Sequence, residues 1–478
     1  MNLNEQTTEP ETEAPKGFRR FLVMPHTYVL LIIIIIFAAL LTYVVPAGEF
    51  ERVEDEQSGQ TVVVPGTYEQ MEATPFNPLL FPISIVEGFN DASSIIFFIL
   101  IIGGAFQVIM STGAIDALTG RMTKFFSKND ALFIPSFLAL FSVGGFTMGM
   151  STESMVFVPI GILVARSLGY DALMGTALVI LGTNIGFTAG LLNPFSVGVA
   201  QTIAEVPLFS GMLMRAVILL LLLLITSLYI HRYAKKIKQD KQQSLVYDLE
   251  QEASEVETAT LYKTIHKKHV AVIGVFLAGI LVLLWGVSVY QWYIVEISSL
   301  FLAMGIVAGL IAGYGPSRIS KEFIQGASGI VMGALMIGLA RAVIIVMEEG
   351  AIMDSIVYFA ANFIDVFPAS VQILGIYGFQ VFVNLFITSG SGQAAITMPI
   401  ITPLADLIGT TRQTGVLAFQ LGDGFTNLIN PTSSTLMGAL AVSGIAFQKW
   451  FRFALPLILY WIVFGGVMVV IANFIHYS

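Results

Sequence analysis

The chain has 478 residues, a formal net charge of −9 and a mean hydropathy of +0.82, with 56% hydrophobic and only 12% charged residues. A soluble domain carries about 25% charged residues, so the deficit excludes a soluble globular protein, whose surface must be wetted. The sequence contains no cysteine, which excludes disulfides, thiolate metal sites and cysteine catalysis.

A polar tail, residues 1–23, precedes the first apolar run, Tyr28–Val45. No small-residue cleavage site follows, so the run reads as a retained helix. Arg19 and Arg20 place the N-terminus on the cytoplasmic side of a cell membrane, because basic residues mark the inner ends of spans. Ala47–Asn77 holds an acidic cluster (Glu49, Glu51, Glu54, Asp55, Glu56) and reads as an external loop with a short hairpin around Thr61–Val64. Ser94–Thr112 then returns to the basic residues Arg121, Lys124 and Lys128, and Met212–Ile230 closes the first half, interrupted only by Arg215. The hydrophilic stretch 231–268 reads as a cytoplasmic linker between a first transmembrane unit, 24–230, and a second, 269–478. In the second unit Val270–Val289, Ile294–Ala312, Gly326–Val346 and Phe453–Ile475 are the plain spans. Runs near ~20 residues cross a hydrocarbon core of ~30 Å as helices; a β-barrel would show ~10-residue alternating segments instead. The fold class is therefore an all-α polytopic membrane protein. The five histidines sit at segment ends with no zinc spacing, so no metal or other cofactor is expected beyond a coupling ion.

The sequence repeats across the linker. Ser93–Ile115 matches Ser328–Ile352, each ending in Gly-Ala-Ile; the block from Gly149 to Pro159 matches that from Ser389 to Pro399; and Gly186-Phe187-Thr188 with Asn193-Pro194 matches Gly424-Phe425-Thr426 with Asn430-Pro431. The blocks keep their order and are offset by 235 to 240 residues. The charge pattern runs the first small-residue helix inward and the second outward, which predicts two inverted-topology repeats, an architecture of secondary transporters.

Each repeat contains two segments unsuited to a simple span. The first is a re-entrant hairpin, about 131–165 with a Gly144–Ser154 tip, and its counterpart about 371–404 with a Thr388–Gln393 tip. The second is a helix broken at Asn-Pro, about 172–204 and about 413–443. Non-helical backbone survives at membrane depth only where protein or a wet cavity satisfies it, and proline frees carbonyls that coordinate cations. Tips entering from opposite sides predict a midplane site. The residues expected to bind substrate are Ser151, Thr152, Glu153, Asn193, Ser391, Gly392, Gln393, Asp423, Asn430 and Thr432. A sodium ion, if it is the coupling ion in place of a proton, is expected among Ser151, Asn184, Thr188, Ser391 and Asn427. Ionisable groups at membrane depth are costly and usually functional, which singles out Glu153, Asp423 and Arg341. The plainer readings have Glu153 fix its hairpin, Asp423 cap a turn, and Arg341 pair with Glu348.

Met24-Pro25-His26-Thr27-Tyr28, Val45-Pro46-Ala47-Gly48-Glu49-Phe50 and the paired Asn-Pro breaks resemble the YfcC family, grouped with the anaerobic C4-dicarboxylate carriers and basic amino-acid (arginine/ornithine) antiporters. The resemblance spans the chain beyond its tail. The hairpin-then-break order is also similar to the ion-transporter superfamily, whose dicarboxylate symporters carry Ser-Asn-Thr tips. Here the tips read Ser151-Thr152-Glu153 and Ser391-Gly392-Gln393, and Glu153 would repel a dianion. The resemblance implies a homodimer with an elevator movement. Tyr28–Val45, Val270–Val289 and Ile294–Ala312 would stand still while Ala131–Ser210 and Val371–Ser443 slide, linked by interfacial arms at Ile115–Phe126 and Met353–Asp365. The function expected is secondary transport of an amino acid, basic by the acids at the site, through exchange or cation coupling. A C4-dicarboxylate carrier is the alternative. A membrane enzyme is a remote third, because no base accompanies the tip serines. The partners are a small-molecule substrate and the bilayer, with no nucleic acid.

Overall fold

In the computed structural model of the chain, residues 27–55, 60–73, 75–114, 130–251, 266–290, 292, 294–364 and 369–477 are described. The tail, Met24-Pro25-His26, Arg121, Lys124, Lys128 and the arm expected at Ile115–Phe126 lie outside them. Helices dominate, and among the described residues five are long and apolar enough to cross a membrane: α3 (Ser93–Ser111), the discontinuous α6–α7 (Ala172–Ile203), α8 (Met212–Gln239), α10 (Ile294–Ala312) and α17 (Phe447–Phe474). The long α11 (Pro316–Glu349), bent by 40°, makes a sixth if its two parts count as one span. The first helix, α1 (Thr27–Leu41), is shorter than its apolar run.

The loop after α1 carries the expected hairpin: β2 (Arg52–Asp55) pairs antiparallel with β3 (Gln60–Val63), beside a smaller pair, β1 (Gly48–Glu49) with β4 (Glu69–Gln70). Val62 and Val63 are buried, which gives the β-branched strand its reason to stay down. The loop is pinned to α12 (Met353–Ile364), the second expected arm. Arg52 grips Asp354 through both carboxylate oxygens at 2.8 Å, and Tyr68 stacks on Tyr358 at 4.0 Å.

α2 (Phe81–Asp91) and α3 are one path broken at Ala92, and they run antiparallel to α11. Glycine makes this contact close. A Cβ on Gly88 would stand 2.6 Å from the Gly338 carbonyl oxygen, and one on Gly103 would stand 2.0 Å from Ile330. With α1, α9 (Lys267–Tyr290) and α10 they form one packed group.

The second group holds the hairpins and broken helices. The first hairpin is α4 (Asp130–Met148), a 3-10 turn (Thr152–Phe157) and α5 (Val158–Ser167). α4 runs further than expected, because Gly145 serves a helix crossing, where a Cβ would stand 2.1 Å from the Thr183 carbonyl of α6, and Gly144 makes room for Met150 of the tip, which a Cβ would meet at 2.6 Å. The second is α13 (Ala369–Val383) and α14 (Gly390–Leu407), and Gly390–Gln393 form the first helical turn, capped by Ser389. The breaks lie between α6 (Ala172–Ala189) and α7 (Val199–Ile203), and between α15 (Arg412–Thr426) and α16 (Ser434–Ser443), close to where Asn-Pro placed them. All of α6 except Asn184 is buried, as is α15 beyond Arg412. Helices buried on every side form the centre of a bundle.

The two hairpins open towards opposite ends of the bundle. At one end Arg166 of α5 makes three hydrogen bonds of 3.0–3.2 Å to Glu250 of the linker, and Ala172 at the start of α6 donates to the same carboxylate. Lys449 pairs with Asp248 there, and Asp171 accepts from Tyr233 and Ser244 at 2.6 Å. At the other end strand β3 lies against α14, and Arg412 joins Asp406 to Glu205.

Candidate functional site

The first tip turns at Gly149, where a φ of +62° and an added Cβ that would stand 2.4 Å from Asn193 Oδ1 exclude a side chain. Beyond it Ser151 and Thr152 bring their hydroxyls to 3.4 and 3.2 Å from Thr435 Oγ1, which follows the second Asn-Pro. The second tip reaches the first break in return: a Cβ on Gly390 would stand 3.2 Å from Ser196 and 3.1 Å from Asp423 Oδ2. The broken helices themselves touch, with Gln420 donating to the Phe187 carbonyl at 2.6 Å and Gly424 closed against Thr188. Four discontinuities thus meet in one place.

A cavity of about 40 Å³ lies among them. Ser151, Ser154, Thr183 and Asn184 line it from the first half and Thr388, Asn427, Ser433 and Thr435 from the second, with Met150, Phe187 and Leu428 as apolar walls. No charged residue lines it among the described residues. The space admits a few waters or an ion, since one water needs roughly 10–15 Å³ on this measure; an amino acid enters only if the tips part.

Of the residues expected at the site, Ser151, Asn184 and Asn427 line the cavity. Thr152 bonds the lining residue Thr435, and Thr188 donates to Asn184 at 3.2 Å. The others serve the frame. Glu153 turns back to accept from its own Ser151 amide at 3.0 Å. Asn193 caps its own break, accepting from Phe195 and Ser196 amides and donating to Ser196 Oγ at 2.7 Å. Asn430 ties its break to the second hairpin, donating to the Asn384 and Leu385 carbonyls and accepting from Thr432. Gln393 locks the arms of its hairpin through Gln380 at 2.7 Å, while Ser391 and Gly392 sit in the first turn of α14 outside the lining. Thr432 lines a second cavity next door.

Asp423 stands directly behind the site. It is 0% exposed, Oδ1 accepts from Asn427 at 3.4 Å, and Oδ2 has no hydrogen-bond partner among the described residues. The unpartnered oxygen faces the start of α14, where helix-terminal amides favour negative charge. Among the described residues no group of three or more His, Asp or Glu could hold a metal ion.

Ser154, Thr183, Thr388, Ser433 and Thr435 are the polar lining residues the sequence did not single out. Thr183 illustrates why: its hydroxyl also bonds the Val179 carbonyl one turn back, which any threonine in an apolar helix does. Arg341 pairs with Asp91, a residue 250 positions away, and not with Glu348.

A polytopic helical bundle with two broken helices and two hairpin tips around one polar cavity is a membrane transporter in class. The sequence gives the family: the model of the C4-dicarboxylate anaerobic carriers, DcuC, matches residues 24–474, and the chain belongs to that family. It is 33% identical to the Escherichia coli (strain K12) protein named "Putative basic amino acid antiporter YfcC", over 97% of this chain and 98% of that one. A Haemophilus influenzae protein named only as uncharacterised is 32% identical over 86% of this chain and 81% of its own length. Among solved structures, the Alcanivorax borkumensis YdaH transporter, described as having an unusual topology, aligns over 94% of this chain and 98% of its own at 13% identity. The TM-score is 0.40.

Proposed function

We propose that the chain is a secondary transporter of a basic amino acid, working by alternating access as an exchanger or with a coupling cation. The observation that carries this reading is the cavity where both tips and both breaks meet, lined by hydroxyl and amide groups without a basic side chain among the described residues, with the buried Asp423 behind it. Neutral oxygens and helix N-termini suit an α-carboxylate, and Asp423 suits a cation, whether an ammonium, sodium or a proton. A dicarboxylate would need two positive partners, which this lining lacks. The name of the Escherichia coli relative agrees in substrate class.

Hairpins with mouths at opposite ends, and antiparallel α2–α3 and α11, support two inverted repeats in a cell membrane. The two packed groups, which meet where α16 lies on α11, suit an elevator, with α1, α9, α10 and α11 standing still in a homodimer while the hairpins and broken helices slide. Counterflow in proteoliposomes tests the substrate: labelled arginine should exchange and be competed by lysine. Succinate exchange with no competition by arginine would overturn the proposal in favour of a C4-dicarboxylate carrier.

A further inference from the structure

The second cavity, of about 280 Å³, adjoins the first, with Thr388 lining both. Asp91 and Arg341 line it from one packed group, and Thr432 and Ser434 line it from the other. Arg341 lies eight residues from the end of α11, about 12 Å along the helix at 1.5 Å per residue, and the two cavities sit side by side at the start of α16, where Thr432 and Ser434 line one and Ser433 and Thr435 the other.

The Asp91–Arg341 pair is not closed in the way a structural pair is. Arg341 reaches Asp91 through Nε alone, and its two terminal nitrogens have no acceptor among the described residues. The side chains are 39% and 41% exposed. Arg341 lines the cavity with those two nitrogens uncommitted, and the two-pronged end of a guanidinium takes a carboxylate by two parallel hydrogen bonds. The surroundings are acidic. Glu348 lies close enough to feel both Arg341 and Asp91, and Glu349 lies beside Glu87. One guanidinium beside the two carboxylates of Asp91 and Glu348 draws a cation that carries one carboxylate of its own. The start of α16 at Ser434 adds helix-terminal amides on the same side.

We propose that Asp91 and Arg341 form an outer subsite for an α-amino-acid zwitterion. The substrate carboxylate binds the free terminal nitrogens of Arg341, its α-ammonium binds Asp91, and a cationic side chain points along Thr388 towards the first cavity. The inference rests on the proposed substrate class and adds where that substrate is first recognised. The pair belongs to one packed group and the hydroxyls to the other, so an occupied subsite bridges the two before the tips part.

Arginine counterflow in proteoliposomes tests this, with agmatine, which lacks the carboxylate, as competitor. Arg341→Gln should raise the KM for arginine about tenfold, leave the maximal rate nearly unchanged, and leave agmatine inhibition as it was. Asp91→Asn should weaken arginine and agmatine together. Arg341→Lys keeps the ion pair but loses the fork, so it should also raise KM for arginine alone, and it keeps the test open if Arg341→Gln does not fold. A purely structural pair would give the opposite pattern: a lower maximal rate at unchanged KM, arginine and agmatine affected equally in Arg341→Gln, and recovery in the double variant Arg341→Gln/Asp91→Asn. Any of these overturns the inference alone. Wild-type protein that exchanges succinate and not arginine overturns the proposed function and this inference with it.

Discussion

Gly424 is where the two broken helices close on each other, and Gly424→Ala perturbs that contact with the smallest available change. The new methyl would stand 2.1 Å from Thr188 Oγ1, 2.7 Å from its Cβ and 2.8 Å from its Cγ2. Optimal separation between carbons is about 3.5–4.0 Å, so the overlap exceeds half an ångström even at the most distant of these atoms. A rotamer change at Thr188 moves Oγ1 and Cγ2 but leaves Cβ in place. Both residues are buried within helices enclosed on nearly every side, so the backbones must part. Overpacking of this kind costs about 1–3 kcal/mol, and we expect the upper end. Thr188→Gly removes all three clashing atoms at the cost of about 1 kcal/mol for a helical glycine. The double variant should therefore recover about 2 kcal/mol of coupling, a magnitude ordinary for residues in contact. The assay is the unfolding midpoint of the protein purified in detergent, measured for the wild type, both single variants and the double. A Gly424→Ala protein as stable as the wild type, or a double variant no better than Gly424→Ala, would refute the close approach of the two breaks.

Glu250→Gln should loosen the linker from α5 by about 1 kcal/mol, since the Arg166 pair is partly exposed and its charge contribution is screened; trypsin cleavage after Lys235–Lys241 should quicken severalfold. Burial raises the Asp171 carboxyl above its ordinary range, against the hydrogen bonds from Ser244 and Tyr233 that lower it. A raised carboxyl favours the neutral form in the folded state, so linker docking should be strongest at acid pH and weaken as pH climbs through the raised value. A fluorophore on Gln242→Cys should report that slope, and Asp171→Asn should flatten it. Asp423→Asn should abolish the dependence of arginine exchange on sodium or on pH where the carboxylate serves a coupling cation, or raise the KM for arginine about tenfold where it serves the substrate's cationic group; a variant with both unchanged would remove Asp423 from the site.

Much of the architecture was legible in the sequence because its signals are strong locally. Apolar runs announced the spans, and glycine with Asn-Pro marked the breaks near the places where α6 and α15 end. Thr61–Val64 announced a strand through its β-branched residues. The hairpin boundaries were less legible, because Gly145 looks like a loop former yet serves a helix crossing, and Gly144 continues the helix while making room for Met150. The site was harder. Glu153 stood out as an acid at a tip, but whether a side chain turns inward or folds back on its own backbone depends on one or two torsions that the sequence does not display. Asn193 and Asn430 were rightly placed at the breaks, yet the backbone groups freed there consume their hydrogen bonds. Ser154, Thr388, Ser433 and Thr435 are common residues at ordinary spacing, and only the folding of one half against the other sets them around a cavity. The Asp91–Arg341 pair is further still from sequence reach.

The central claim is that the first tip and the second Asn-Pro break face one another across a single transport site. Thr152 and Thr435, 3.2 Å apart through their hydroxyls, offer the most direct test, because the chain contains no cysteine to confuse it. In membranes, the pair Thr152→Cys/Thr435→Cys should form a disulfide under mild oxidation that stops arginine counterflow, and reduction should restore it. If both single-cysteine variants react with a thiol reagent while the pair never cross-links, the two halves do not meet there, and the account is wrong.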